Sequence, residues 1–101
     1  MKATLSQSPR AGKKLRATFT DETGKSHHVD FGAEGMMDYT KYYAESPQKA
    51  KVKKANYLAR HRATENWNKY DTAGALARWV LWNLPTVEAS WRDYKSKFGL
   101  T

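Results

Sequence analysis

One segment of the sequence has almost no polar side. From Thr72 to Asn83 the chain reads Thr-Ala-Gly-Ala-Leu-Ala-Arg-Trp-Val-Leu-Trp-Asn, with Arg78 as its only charged residue. Asp71 or Thr72 can cap a helix here, and Leu84-Pro85 ends it because the residue before a proline is pushed out of the α region. A helix that is apolar nearly all round has to be covered on most sides. The segment therefore predicts a central helix that the rest of the chain buries.

Two further helices are predicted on either side of this one. Ser46-Pro47 is typical of an N-cap followed by proline at the first helical position, and the helix should run to His61 or Arg62. Thr86 should cap the last helix, whose apolar stripe leads to Gly99, a residue suited to a left-handed C-cap. That stripe recurs at helical spacing through Val87, Trp91, Tyr94 and Phe98. By the same spacing Trp79, Trp82, Trp91 and Phe98 are expected in the core.

The N-terminal half predicts a β-hairpin. Residues 14–20 and 27–31 alternate between apolar and polar side chains, and the turn 21–24 between them ends in a glycine. A hairpin is marginal alone, so its apolar face must lie on the helices. Residues 32–46 are expected to form an irregular, packed connector. Residues 1–12 are expected to be a flexible basic tail, since Leu5 is their only sizeable apolar anchor.

These elements predict one α+β domain over residues 13–101, a β-hairpin packed on about three helices in the order ββααα. A chain of 101 residues suits one domain. It has no cysteine, which excludes disulfides and thiolate chemistry. No apolar run reaches the roughly 20 residues of a membrane span, and the N-terminus lacks the apolar region of a secretory signal. We therefore expect neither membrane insertion nor secretion.

Charge is distributed unevenly along the chain, which has 18 Lys and Arg against 10 Asp and Glu and a net charge of +8. Residues 46–64 hold six cations and no acid, and residues 10–16 hold four and no acid. Such stretches favour a phosphate-binding surface, although a solvated helix face that keeps the protein soluble is the alternative. The residues predicted to contact phosphates are Lys13, Lys14, Arg16, Lys49, Lys51, Lys53, Lys54, Arg60 and Arg62.

Little in the sequence favours catalysis or a metal site. His27 and His28 are adjacent on a strand and should point to opposite faces, and His61 lies between two arginines. No glycine-rich phosphate loop, nucleophile elbow or zinc-protease motif is present. We expect no enzyme activity, no cofactor and no metal. Exposed tyrosines near the cations could stack on unpaired bases, or could cover the edge of the core.

Several stretches resemble a small uncharacterised domain family of nucleocytoplasmic large DNA viruses of algae and amoebae. They are Tyr-Leu-Ala-Arg-His-Arg at 57–62, Glu-Asn-Trp at 65–67, and the segment from Thr72 to Asn83 with Pro85-Thr86. Val-Asp-Phe-Gly at 29–32 and Asp-Tyr-Thr at 38–40 are also similar. Leu84 stands where a lysine is expected in relatives. The resemblance implies a viral origin and a location in the virion or in the host cytoplasm or nucleus, and it brings no catalytic residues.

Together these features favour a small basic viral DNA-binding protein that contacts phosphates with little sequence preference, in genome packaging or in the virion. DNA is the expected partner rather than RNA. The alternative is a capsid or protein-interaction module of the virion that does not touch nucleic acid, with Met36 and Met37 in its contact surface. The sequence leaves the oligomeric state open.

Overall fold

The computed structural model describes residues 1–101 and has an α+β architecture. The strands are β1 (Lys2–Gln7), β2 (Lys13–Thr20) and β3 (Ser26–Ala33), which form an antiparallel sheet in the order β1-β2-β3. The helices are α1 (Tyr39–Glu45), α2 (Pro47–His61), α3 (Ala73–Leu76), which continues as a π-helix (Ala77–Leu81), and α4 (Val87–Lys97). The α+β class is confirmed, with one strand and one helix more than predicted.

The additional strand lies where the sequence favoured a flexible tail. Lys2–Gln7 pairs with β2 along its whole length, so that Ala3 lies opposite Phe19 and Leu5 opposite Ala17. Ala3 is buried, and its amide donates a hydrogen bond to the Thr101 carbonyl at 2.9 Å. A small alanine and one leucine suffice to hold this strand because its backbone is bonded to β2 and to the C-terminal residue. Those partners are distant in sequence, so a local pattern cannot reveal them.

The predicted hairpin is confirmed as β2 and β3. Leu15 lies opposite Phe31, and Ala17 lies opposite Val29. In the turn, the carboxylate of Asp21 accepts hydrogen bonds from the Thr23 and Lys25 amides, and Gly24 adopts the left-handed conformation with φ of 85°. This turn chemistry fixes the register of the two strands.

The core lies between one face of the sheet and the C-terminal helices. Its buried members are Ala3, Ala17, Phe19, Phe31, Leu76, Val80, Leu81 and Tyr94. Tyr94 is fully buried and its hydroxyl donates a 2.6 Å hydrogen bond to the Tyr70 carbonyl. The tryptophans predicted in the core are half-buried and pack against its edge, as does Phe98.

The central helix is not a continuous α-helix, which differs from the prediction. Thr72 caps it as expected, but from Ala77 onward the backbone is π-helical, and the Trp82 amide donates to the Ala77 carbonyl five residues earlier. The wider turn lets the adjacent residues Val80 and Leu81 both enter the core. π-Helical turns are frequent at functional sites.

The other helices follow the predicted caps. Ser46 accepts a hydrogen bond from the Lys49 amide at the start of α2, and Thr86 accepts from the Ala89 amide at the start of α4. The connector at 32–46 contains α1, which Asp38 caps. None of the helices combines the length and the apolar character needed to cross a bilayer.

Candidate nucleic-acid interface

Helix α2 and its C-cap residue Arg62 carry six of the nine predicted phosphate contacts, so the attachment of α2 to the body of the protein sets the geometry of the site. Its buried residues are Ala50 and Tyr57. The Tyr57 ring stacks on Trp82, which directly follows the π-helix, at 4.3 Å between centroids and 5° between planes. The other stacking partner of Tyr57 is His61, also at 4.3 Å. Burial raises the pKa of Tyr57 to about 12, with a smaller contribution from Glu65.

Lys54 is part of this attachment and not of the free surface. Its Nζ donates a 2.8 Å hydrogen bond to the Asn83 carbonyl and lies 4.8 Å from the centre of the Tyr39 ring. Burial lowers the pKa of Lys54, and the nearby Arg78 guanidinium lowers it further. Lys54 therefore ties α2 to the residues that follow the π-helix, and its charge is not available to a ligand.

The other four cations of α2 and the C-cap Arg62, which continues the helical conformation, form two rows on nearly opposite sides of the helix. A turn of 3.6 residues places Lys49, Lys53 and Arg60 within about 40° of one another, and Lys51 and Arg62 about 170° away. We name them the inner row (Lys49, Lys53, Arg60) and the outer row (Lys51, Arg62). None of the five lies within 4 Å of a carboxylate. Their charges are therefore free to meet an anion.

Two members of the inner row, Lys53 and Arg60, border a groove between α2, the loop after β3 and the π-helix. The groove has a volume of about 760 Å³, and Lys53, Asn56 and Arg60 line it. Lys49 and Lys53 also lie over the Tyr42 ring, at 5.7 and 5.6 Å from its centre, which holds their stems against an aromatic surface. The groove contains acids as well, but each is held close to a cation or a histidine.

Two of the predicted phosphate contacts are already neutralised by carboxylates, one of them in this groove. Lys14 Nζ lies 2.7 Å from Asp38 Oδ2, and the carboxylate is 3% exposed. The Arg16 guanidinium donates two hydrogen bonds to Asp30, at 2.9 and 3.1 Å. Hydrogen bonds from Arg16 and then Ser8 lower the pKa of Asp30 to about 2, although its burial opposes the shift. Lys14 and Arg16 therefore serve the internal structure of the domain.

Lys13 lies apart from α2. It begins β2, is half-buried, and borders a smaller cavity together with Glu34 and Lys41. Of the 10–16 stretch, Lys14 reaches the groove that Lys53 and Arg60 line, but it is paired there with Asp38. The unpaired cations that the structure brings together are therefore those of α2.

A cluster of cations and aromatic rings on the C-terminal side was missed from the sequence. Arg78 and Lys97 both lie over the Trp79 ring, at 4.1 and 4.2 Å from its centre, and Arg78 also lies 5.5 Å from the centre of the Trp67 ring. Arg78 also donates to the Trp82 carbonyl at 2.8 Å, and burial lowers its pKa. A lone arginine beside a tryptophan in an apolar helix was the available signal. Its hydrogen bond and burial give it a structural role.

The histidines each face a carboxylate. The nitrogen–oxygen distances are 3.3 Å for His27 with Asp71, 4.0 Å for His28 with Asp30, and 3.6 Å for His61 with Glu65. His27 lies opposite Phe19 and His28 opposite Thr18, so the two rings belong to opposite faces of the sheet. No group of three or more potential metal ligands is assembled in the structure.

The model of a family of unknown function (DUF5754) matches the chain over residues 3–61. The chain belongs to this family. The matched region covers more than half of the sequence and includes α1, α2 and the sheet from Ala3 onward. It therefore contains the whole inner row and Lys51 of the outer row and ends one residue before Arg62, whereas the segment from Thr72 to Asn83 that supported the viral resemblance lies outside it. Neither the curated proteins nor the solved structures gave a match.

Proposed function

We propose that this member of the family binds the phosphates of nucleic acid through α2, with little dependence on base sequence. The observation that supports the proposal most is the pair of cationic rows, five charges on one helix with no carboxylate within 4 Å. Ordinary soluble helices intersperse acids among such cations, and that arrangement would serve solubility equally well. Uncompensated cations on one helix are instead suited to a polyanion.

We further propose that the polyanion is DNA, and that its setting is the genome of a large DNA virus. The sequence resemblance described above supports this setting. In it the protein would neutralise packaged or replicating DNA, a task that needs many weak phosphate contacts and no base readout.

The test is a fluorescence anisotropy titration of labelled duplex DNA, single-stranded DNA and RNA at several salt concentrations. Five phosphate contacts give a log–log slope of about −4.5 on duplex DNA, so that affinity should fall roughly 500-fold between about 50 and 200 mM salt. A flat salt dependence, or no binding at about 50 mM salt, would exclude the proposed function. Stronger binding to RNA than to DNA would identify RNA, and not DNA, as the partner.

Charge reversal of the inner row, K49E/K53E/R60E, should abolish this binding. The matched control is K25E/K69E/R92E, which reverses three exposed cations outside α2 and likewise lowers the net charge from +8 to +2. Equal losses in both variants would mean that only the overall charge matters and that α2 is not the site. Circular dichroism should show that both variants remain folded.

A second function, as a virion assembly module, is favoured by one specific observation. Met36 is 63% exposed at the edge of the groove, where a flexible apolar side chain can adapt to a protein partner. Fractionation of purified particles separates the two functions. Position in the protein shell favours assembly, and co-fractionation with the genome favours DNA binding.

A further inference from the structure

From Val52 to Ala59 the outward face of α2 is apolar and has no partner within the protein. Val52, Ala55 and Ala59 share one side of the helix, which we name the ridge (Val52, Ala55, Ala59). All three residues are exposed, Val52 to 60%. The ridge lies about 180° around the helix from the buried residues Ala50 and Tyr57. A stripe that helical spacing would assign to a core therefore points directly away from the domain.

The two cationic rows flank this ridge. The outer row lies about 60° from the ridge on one side, and the inner row lies about 110° from it on the other. The helix contains no acid. A ligand seated on the ridge would thus meet positive charge at both of its edges and apolar surface between them.

This arrangement argues against a second copy of the chain as the occupant. Two copies paired through their ridges would bring four cationic rows together, and like charges at close range repel. A ligand that has a groove with negative charge along both of its borders fits the ridge and the two rows better. Duplex DNA has that form, since a phosphate backbone runs along each border of its major groove.

Resting on the proposed phosphate binding, we propose that the ridge of α2 enters the major groove of duplex DNA while the two rows contact phosphates of opposite strands. The groove is about 12 Å wide and admits an α-helix of about 10–12 Å diameter. The small side chains of Ala55 and Ala59 allow close approach, and apolar contact with thymine methyl groups is available to alanine and valine. From Val52 to Ala59 the ridge spans about 10 Å, or about three base pairs.

The proposal also distinguishes duplex DNA from duplex RNA. The major groove of an A-form helix is too deep and narrow for side chains to read, so α2 cannot enter it. A protein that contacted the phosphates alone would bind the DNA duplex and the RNA duplex with similar affinity. DNA and RNA duplexes of one sequence and length therefore separate major-groove docking from phosphate binding in general.

The test compares wild type, Ala55→Phe and Ala44→Phe in anisotropy titrations on both duplexes. Ala55→Phe adds bulk at the centre of the ridge, leaves every charge in place, and should weaken DNA binding about tenfold or more, because the rows can no longer reach both strands. Ala44 is an exposed alanine on α1, and Ala44→Phe should stay within about twofold of wild type. Methyl green, which occupies the major groove, should compete with wild type, whereas a minor-groove ligand should not.

Each result bears on the proposal. Equal affinity of wild type and Ala55→Phe, equal affinity for the two duplexes, or competition by the minor-groove ligand would overturn major-groove docking and leave phosphate binding standing. Absence of any binding by wild type would overturn both. A dimer in sedimentation that Ala55→Phe dissociates would assign the ridge to self-association instead. If Ala55→Phe does not fold, Ala59→Phe and the groove competition with wild type decide.

Discussion

Replacing Tyr57 by alanine should detach α2 from the rest of the molecule. Tyr57 is 8% exposed, and its ring fills the contact between α2 and Trp82. Removing a buried aromatic side chain costs about 3–5 kcal/mol, and the lost stack with Trp82 is part of that loss. A domain of this size has a free energy of unfolding of about 5–15 kcal/mol, so the loss would be a large fraction of it. An isolated helix of about 15 residues is marginally stable in water, so α2 should lose most of its helical structure once it is detached.

Urea unfolding followed by circular dichroism measures the loss, and hydrogen exchange shows where it occurs. Exchange should increase most strongly in the amides of α2. The control is Tyr57→Phe, which keeps the ring and both stacks and should cost less than about 1 kcal/mol. If Tyr57→Ala also costs less than about 1 kcal/mol, the stack does not hold α2, and the orientation of both cationic rows and of the ridge loses its support.

Two further predictions concern the sheet. Because the pKa of Asp30 falls from 3.8 to about 2 on folding, the stability that this carboxylate contributes is full above about pH 4 and is lost as the pH falls toward 2. The stability difference between wild type and Asp30→Asn should therefore shrink across that window in acid-unfolding curves, and a constant difference would contradict the Arg16–Asp30 pairing. Gly32→Ala should destabilise the protein by more than Gly24→Ala in thermal unfolding, since both glycines have positive φ but only at Gly32 would the new Cβ meet a neighbour, Leu81 Cδ1 at 2.8 Å. Equal losses would show that the backbone conformation alone sets the cost.

The sequence predicted correctly those elements that a cap or a turn within a few residues specifies. Ser46-Pro47 and Thr86 marked the starts of α2 and α4, and the four-residue turn ending at Gly24 marked the hairpin. Elements with distant causes were missed. Strand β1 depends on pairing with β2 and with Thr101, and the π-helical turn depends on which neighbouring residues the core can accept. Neither condition is encoded in a short stretch of sequence.

The candidate site shows the same division. Counting acids within a stretch identified the cations of α2 correctly as unpaired, apart from Lys54, which bonds a carbonyl. The same count failed for Lys14 and Arg16, because their carboxylates lie 24 and 14 residues further along the chain. Helical spacing grouped Val52 with Ala55 and Ala59, but only the structure shows that Ala50 and Tyr57 form the buried side and that this group is exposed.

The cations of α2 also work against the stability of the helix that carries them. Lys49 and Lys53 are like charges four residues apart, a spacing that destabilises a helix, and Lys49 lies in the first turn, where the helix dipole disfavours positive charge. The first turn contains no acid that would compensate. The Tyr42 ring relieves part of this repulsion, and it does so at the groove. A polyanion bound along α2 would relieve the rest, since each phosphate would lie between charges that otherwise repel. Departures of this kind from locally favourable sequence are expected at functional sites, where a ligand supplies what the chain alone lacks. The unfavourable electrostatics of α2 thus support a polyanion partner independently of the exposed ridge.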